Sequence, residues 1–343
     1  MPVQTRERTE QTGPRVRRAA DAIPTEMRAA AIDRFGGPDV LTLHTLPVPA
    51  LDPSEVLIAI DTAGVGPWDA DMRAGWSPSG RAQFPLVLGT DGAGIIAGVG
   101  PRVRRFQPGD LVYSYSFDNP KGGFYAEYVA VTADKVGRIP ACLDLMHAGA
   151  IPTTGLTALQ GVDDALHLRK GEAVIIHGAS GGVGTLAVQF AKLRGASVLA
   201  TASGEDGVAL VRHLGADAAV DAKNEDIAAE VRRFAPGGID GVLALAGGAA
   251  LERCLSTLRR GGRVAYPNGV EPEPRPREGL KIISYDAVPG VREFERLGRA
   301  AEAAELEVPI AACYPLAEAA AAHERLARGH VLGKIVLRVR EEA

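Results

Sequence analysis

A chain of 343 residues, 46% apolar and 23% charged, exceeds the usual size of one hydrophobic core, so two domains are expected. The net charge of −4 offers no basic field and argues against nucleic acid or an anionic membrane surface as partner. Cys142, Cys254 and Cys313 lie far apart with no CxxC spacing. That argues against a disulfide framework or a thiolate zinc cluster and suits a reducing cytoplasm.

Residues 1–26 are polar, mixed in charge and without the apolar stretch of a secretory signal. They read as a disordered arm, with a transit-peptide reading left open by the arginines. No apolar run in the chain is long enough to span a bilayer.

From Met27 the runs "MRAAAIDRF", "LTLHTLPVP", "EVLIAIDTAGV", "PLVLGTDGAGIIAGVG" and "GDLVYSYS" are short and apolar, broken by Gly, Pro and Asp. They predict a meander or compact barrel reaching to about Val136. Around "LDLMHAGAIPTTGLTALQGV" the apolar period turns helical. After Gly171, strands "AVIIHG", "ASVLATAS", "AAVDA", "GVLALA", "GRVAY" and "LKIISY" alternate with amphipathic segments. That alternation predicts an α/β fold with a parallel doubly wound sheet. The Pro-rich "EPEPRPREG" separates two of these strands. The tail predicts a helix through "LAEAAAAHERLARG" and a strand "GKIVLRV" that returns to the first domain.

The stretch "VIIHGASGGVGTLAVQFAK" places Gly178, Gly181 and Gly184 between a strand and a helix. The first glycine lets the chain leave the strand, the second admits a pyrophosphate to the backbone, and the third lets helix and strand pack closely. With Ala179, Ser180, Gly182 and Val183 they form a dinucleotide site at a helix N-terminus. The next strand ends in "ATASGED", so no carboxylate stands at its tip if that tip is Ala202–Ser203. NADP(H) is therefore favoured over NAD(H), and Ser203 either donates to the 2′-phosphate or caps the following helix.

The order of these segments resembles the medium-chain dehydrogenase/reductase superfamily, and its zinc-free, zeta-crystallin-like quinone oxidoreductase branch above all. The residues that carry it are "GVGPWDADMRAG", "PLVLGTDGAGII", "FQPGDLVY", "GGFYAEYV", "IPTTGLTAL", "HGASGGVGTLAVQFAK", "LGADAAVD" and "GHVLGKIVL", which span 27–343 in the family's order. The resemblance implies a GroES-like partly open β-barrel domain over 27–150 and 291–343, with a Rossmann domain over 151–290. It also implies a homodimer paired through edge strands, "LKIISY" being the edge here.

Against the zinc-dependent members, the Cys ligand falls on Gly66, the His ligand on Thr90 within Gly89-Thr90-Asp91, and another Cys near Ala150. The structural zinc lobe is absent, so no metal site is expected. The Lys and Tyr with which some relatives clamp a 2′-phosphate fall on about Gly207 and Ala222, leaving Lys223 or Arg212 as substitutes.

Without a Lewis acid, activated acceptors such as quinones and α,β-unsaturated carbonyls become the logical substrates. By resemblance, Thr154 and Thr157 lie near the nicotinamide, and Ala246, Gly247, Tyr266 and Asn268 end strands at the cofactor crevice. Lys334 is either a phosphate or carbonyl contact or a solvated strand-end lysine. Trp68 is expected to wall the substrate, Asp69 to donate a proton or to fix its loop, and Asp91 has the same two readings, with the structural one favoured. Tyr115 or Tyr125, or Tyr113, lines the mouth. His177, with no carboxylate partner in view, reads as structural. The rival readings are an enoyl or 2-alkenal double-bond reductase, a non-catalytic NADPH-binding protein, and a zinc alcohol dehydrogenase.

Overall fold

The computed structural model describes residues 23–76 and 82–340. The expected N-terminal arm lies outside the described residues as far as residue 22. Its proposed end at residue 26 is one residue late, because Glu26 already pairs with Pro47 in the first sheet.

The first unit opens with β1 (Glu26–Ile32), β2 (Thr42–Pro47) and β3 (Glu55–Val65), then α1 (Pro67–Ala74). It continues through β4 (Leu86–Val87), β5 (Asp91–Val99), β6 (Leu111–Tyr115), β7 (Tyr128–Thr132), β8 (Val136–Arg138) and the short α2 (Leu145–Gly149). β3 is a nearly continuous apolar run and pairs antiparallel with both β5 and β7. Its long, buried, β-branched stretch is what a barrel core needs on both faces.

The second unit starts with α3 (Pro152–Gln160), β9 (Ala173–His177), α4 (Gly182–Leu193), β10 (Ser197–Ala202) and α5 (Gly204–His213). β11 (Ala218–Asp221), α6 (Ile227–Phe234), β12 (Ile239–Ala244), α7 (Ala249–Leu255), β13 (Leu258–Pro267) and β14 (Lys281–Tyr285) complete a six-stranded sheet. Its order is β11-β10-β9-β12-β13-β14 and every pairing is parallel. This is the Rossmann order, with the crevice where the winding reverses beside β9. β13 starts earlier than the expected "GRVAY", at Leu258, because Ile239 pairs with Leu258 before the register shifts. β14 is an edge strand, as expected.

α8 (Val291–Ala304) then packs on α3, α4 and β8, and its Phe294 ring meets Tyr113 at 5.0 Å. β15 (Ile310–Pro315), α9 (Ala319–Ala327) and β16 (Lys334–Arg338) bring the tail back, β16 lying antiparallel to β3. The barrel is thus built from both ends of the chain. The return also places Lys334 at the seam between the two units.

Candidate active site

The glycine turn divides its work as the sequence spacing demands. Gly178 leaves β9 at φ +79°, a conformation that costs other residues steric strain. A Cβ on Gly184 would lie 2.5 Å from Ala179 Cα, so only glycine lets α4 sit this close to the turn. A Cβ on Gly181 would meet nothing nearer than Gly178 O at 3.7 Å, so its face is open. Gly178, Gly181, Gly182, Val183 and Gly184 line a cleft of about 1290 Å³ between the two units. Ala179 and Ser180 do not line it. Ala179 N donates to Thr201 O at 2.9 Å, and Ser180 O accepts from Gly333 N at 2.9 Å, which fastens the turn to the returning tail.

Thr154 and Thr157 also line the cleft. Their hydroxyls donate along α3, to Ala150 O and Thr153 O respectively, both at 2.8 Å. Each therefore keeps lone pairs while its proton is committed within α3, which suits acceptance from a carboxamide. At the end of β12 the cleft residue is Leu245 rather than Ala246 or Gly247. Gly247 instead packs against the Glu271 and Pro272 carbonyls. Tyr266 is buried with its hydroxyl 3.4 Å from Glu273 Oε2, whereas Asn268 lines the cleft and donates to Asp286 Oδ2 at 2.7 Å.

Ser203 stands at the N-cap of α5 without a side-chain cap bond and does not line the cleft. Beside it, His330 Nε2 and Asp206 Oδ2 are 2.9 Å apart, joining the tail to α5. Arg212 is turned to Ala219 O at 3.2 Å, and Lys223 is exposed.

At the other end of the cleft, Trp68 forms part of the wall. Its indole N–H donates to Thr90 Oγ1 at 2.6 Å. A Cβ on Gly66 would lie 2.5 Å from Trp68 Cε2 and Cζ2. The indole therefore spans from Gly66 to Thr90. Tyr115 is 7% exposed and lines the cleft, but Tyr125 is fully buried and does not, a correction to its expected substrate role. Its ring lies under Gly89, where a Cβ would come within 2.9 Å of ring carbon Cε1. Tyr113 is likewise buried, its hydroxyl 3.4 Å from Phe294 O.

The sequence reading missed Trp76 and Phe117, whose rings meet at 5.3 Å on the cleft wall. Trp76 is 50% exposed. A large aromatic following a helix-ending glycine, in a polar segment, was the available signal.

Below Trp68 lies a buried polar group of side chains. Asp69 is fully buried and its Oδ2 accepts from Gly66 N at 2.8 Å, the N3 side chain reaching back to the N-cap backbone at the start of α1. Burial pushes its carboxyl up to about 7; Asp91 adds to this, while Lys334 opposes it. Tyr125 Oη is 3.4 Å from Asp69 Oδ2 and 3.2 Å from His323 Nε2, and His323 Nδ1 is 2.6 Å from Arg73 Nη1. Arg73 has only donors, so His323 Nδ1 accepts and its Nε2–H donates to Tyr125. The chain runs one way, from Arg73 to Asp69. Burial, helped by Arg73, holds His323 down at about 3 and hence neutral.

Asp91 Oδ2 accepts from Thr153 N at 3.0 Å, tying β5 to α3. Lys334 is no solvated strand-end lysine: it is 5% exposed, lines the cleft, and holds Nζ 5.0 Å from the Trp68 ring centroid. His177 is buried with Nδ1 2.7 Å from Thr201 Oγ1, and burial lowers it to about 4, so it stays neutral and structural. Among the described residues, no three His, Cys, Asp or Glu side chains gather as metal ligands.

A barrel with a Rossmann sheet inserted into it, and a cleft between glycine turn and aromatic wall, defines a two-domain nucleotide-dependent dehydrogenase/reductase. Residues 52–141 match the alcohol dehydrogenase GroES-like domain and residues 182–276 the zinc-binding dehydrogenase domain. Guanaco (Lama guanicoe) quinone oxidoreductase is 34% identical over 327 residues, 91% of this chain and 97% of that protein. The Arabidopsis thaliana chloroplastic NADPH-dependent alkenal/one oxidoreductase is 30% identical over 329 residues, 93% of this chain and 81% of that protein. Among solved structures, a mycobacterial protein complexed with NADPH superposes with a TM-score of 0.79 at 27% identity, covering 91% of this chain and all of that one. An NAD-dependent alcohol dehydrogenase superposes at 0.84 with 34% identity, covering 92% and 100%. The chain belongs to the quinone oxidoreductase branch of the medium-chain dehydrogenase/reductase superfamily, and it is an oxidoreductase.

Proposed function

We propose that the protein is a zinc-independent, NADPH-dependent reductase of quinones or related conjugated carbonyls. The observation that carries this reading is the Trp68 indole lying between Gly66 and Thr90. A metal there needs three or four nitrogen, sulfur or oxygen ligands, and the volume holds a ring instead. The cofactor fits on the other side: Gly181 leaves a cradle that any side chain would fill, at the N-terminus of α4. Gly178, Gly181 and Gly182 are suited to hold the diphosphate, with Thr154, Thr157 and Asn268 beside the nicotinamide. When bound, the dinucleotide supplies hydride.

The chain's own part is placement and exclusion of water. Trp68, Trp76, Tyr115 and Phe117 offer planar surfaces for a planar acceptor. Preference for NADPH is supported by the missing carboxylate at Ala202–Ser203 and by the NADPH named for two relatives. The name of the Arabidopsis relative favours reduction of alkenals and alkenones as the second reading. Unpaired cysteines suit a reducing cytoplasm, and the free edge of β14 suits pairing with a second copy. No helix among the described residues is long and apolar enough to cross a membrane.

The test is NADPH and NADH oxidation with 1,4-naphthoquinone and with a 2-alkenal, before and after chelation. Chelator-resistant NADPH loss that needs the quinone supports the reading. Activity only with the alkenal moves it to the second.

A further inference from the structure

Six buried side-chain polar atoms among the described residues have no hydrogen-bond partner, and four of them belong to one cluster: Asp69 Oδ1, Asp91 Oδ1, Thr153 Oγ1 and Lys334 Nζ. Buried polar atoms are normally satisfied, and an ammonium ion in particular costs several kcal/mol to strip of water. Such a concentration beside a cleft marks a place that a polar guest completes.

Lys334 is the member of that set that reaches the cleft, together with Thr153. Its side chain is aimed by the backbone: Lys334 N donates to Pro309 O at 2.9 Å, and Gly333 N to Ser180 O at 2.9 Å. Glycines clear its route. A Cβ on Gly64 would come 2.9 Å from Lys334 Cε, and one on Gly182 would come 3.5 Å from Cδ. The ammonium ends over the Trp68 ring at 5.0 Å, with no ion pair to either aspartate within 4 Å. It is held by packing and has all its donors uncommitted.

We propose that Lys334 Nζ is the oxyanion-binding group of this enzyme, receiving the carbonyl oxygen of the acceptor in the place where metal-dependent relatives use a Lewis acid. This rests on the reductase reading above. As hydride adds to the acceptor carbon, a new C–H bond forms and the displaced π pair moves to the acceptor oxygen. A bound dinucleotide would supply that hydride and be oxidised by two electrons as the acceptor is reduced by two. The Lys334 ammonium donates a hydrogen bond to that oxygen, and a proton from solvent on the neighbouring carbon completes a saturated carbonyl. A quinone instead takes that proton on oxygen and then tautomerises, the reduced ring carbon losing one hydrogen as a proton while the second carbonyl oxygen gains one, to give the hydroquinone. A fixed donor in a water-poor site stabilises developing charge better than water does, because it is already oriented. Trp68, under the same ammonium, holds the ring plane of the acceptor and the cation together.

Lys334 also lies near the glycine turn, so an anchor for the cofactor diphosphate is the competing role, and the experiment separates them. Lys334→Met and Lys334→Arg are compared with the wild type in two binding titrations and one assay. The titrations are NADPH by its own fluorescence, and the anion of 2-hydroxy-1,4-naphthoquinone by tryptophan quenching. The assay is kcat/KM with 1,4-naphthoquinone. The proposal expects K334M to bind NADPH within about threefold of wild type, to lose the anion, and to lose about 10²–10³ in kcat/KM. K334R should recover part of the anion binding. A tenfold loss of NADPH affinity with unchanged kcat would overturn it in favour of a diphosphate anchor, as would equal anion binding by K334M and wild type. If the wild type binds both ligands but reduces no quinone, the reductase reading fails while the anion titration still decides the role of Lys334.

Discussion

Trp68 and Thr90 are joined by a 2.6 Å hydrogen bond across a space that Gly66 leaves open on the far side of the ring. The three residues form one fitted unit. Glycine admits the indole, the indole fills the space, and the threonine hydroxyl satisfies its N–H. Gly66→Ala should therefore destabilise the barrel by about 1–3 kcal/mol through overpacking, although its backbone conformation is ordinary. Trp68→Phe should cost about 1 kcal/mol by leaving Thr90 without its partner. Thermal unfolding reads both. A Gly66→Ala protein as stable as wild type would mean that the ring does not occupy this space.

Gly181 and Gly184 predict opposite behaviours from the same substitution. Gly181→Ala meets only Gly178 O, at an ordinary contact of 3.7 Å, so the fold should tolerate it, but NADPH affinity should fall about tenfold or more as the new methyl group occupies the cradle. Gly184→Ala must push α4 off Ala179 and should lower the melting temperature itself. Unchanged NADPH affinity in folded Gly181→Ala would remove the turn as the diphosphate site.

These roles were legible because strand, turn and helix follow one another within twenty residues, so local spacing carries the geometry. The Rossmann order and the returning tail were legible for the same reason, as apolar period and turn residues repeat along the chain. Tyr125 shows where that reasoning ends. Its segment is glycine-flanked and looks like a loop at the mouth, yet the ring is buried by Asp69 from α1 and His323 from α9, 198 residues away for the His contact. The same holds for Lys334, whose burial depends on glycines at 64 and 182. Partners so distant leave no local pattern to read.

Asp69 should make stability depend on pH in an unusual direction. Its folded value near 7 stands above the ordinary 3.8, so the folded state binds more protons between those values. Stability from this group is then greatest at low pH and declines as pH rises from about 4 to about 7. Asp69→Asn should lack that decline while its side-chain oxygen keeps the bond to Gly66. Melting temperatures of both proteins from pH 5 to 8 provide the check. Parallel curves would mean that Asp69 ionises freely in the fold.

His323 works in the opposite sense. Its folded value near 3 lies below the ordinary 6.5, so its contribution is full above pH 6.5 and is lost as pH falls towards 3. His323→Gln should reduce that acid sensitivity. His323→Ala should cost about 2–4 kcal/mol at neutral pH, because Arg73 and Tyr125 both lose a buried partner. A His323→Ala protein with wild-type stability would show that the chain from Arg73 to Asp69 carries no energy.

In the function proposed above, hydride reaches a conjugated carbonyl without a metal. The most direct measurement is steady-state NADPH oxidation with 1,4-naphthoquinone, using protein dialysed against a chelator and assayed for zinc content. Full quinone-dependent turnover is expected with less than about one zinc in ten chains, faster with NADPH than with NADH. Activity that vanishes on chelation and returns with zinc would contradict it.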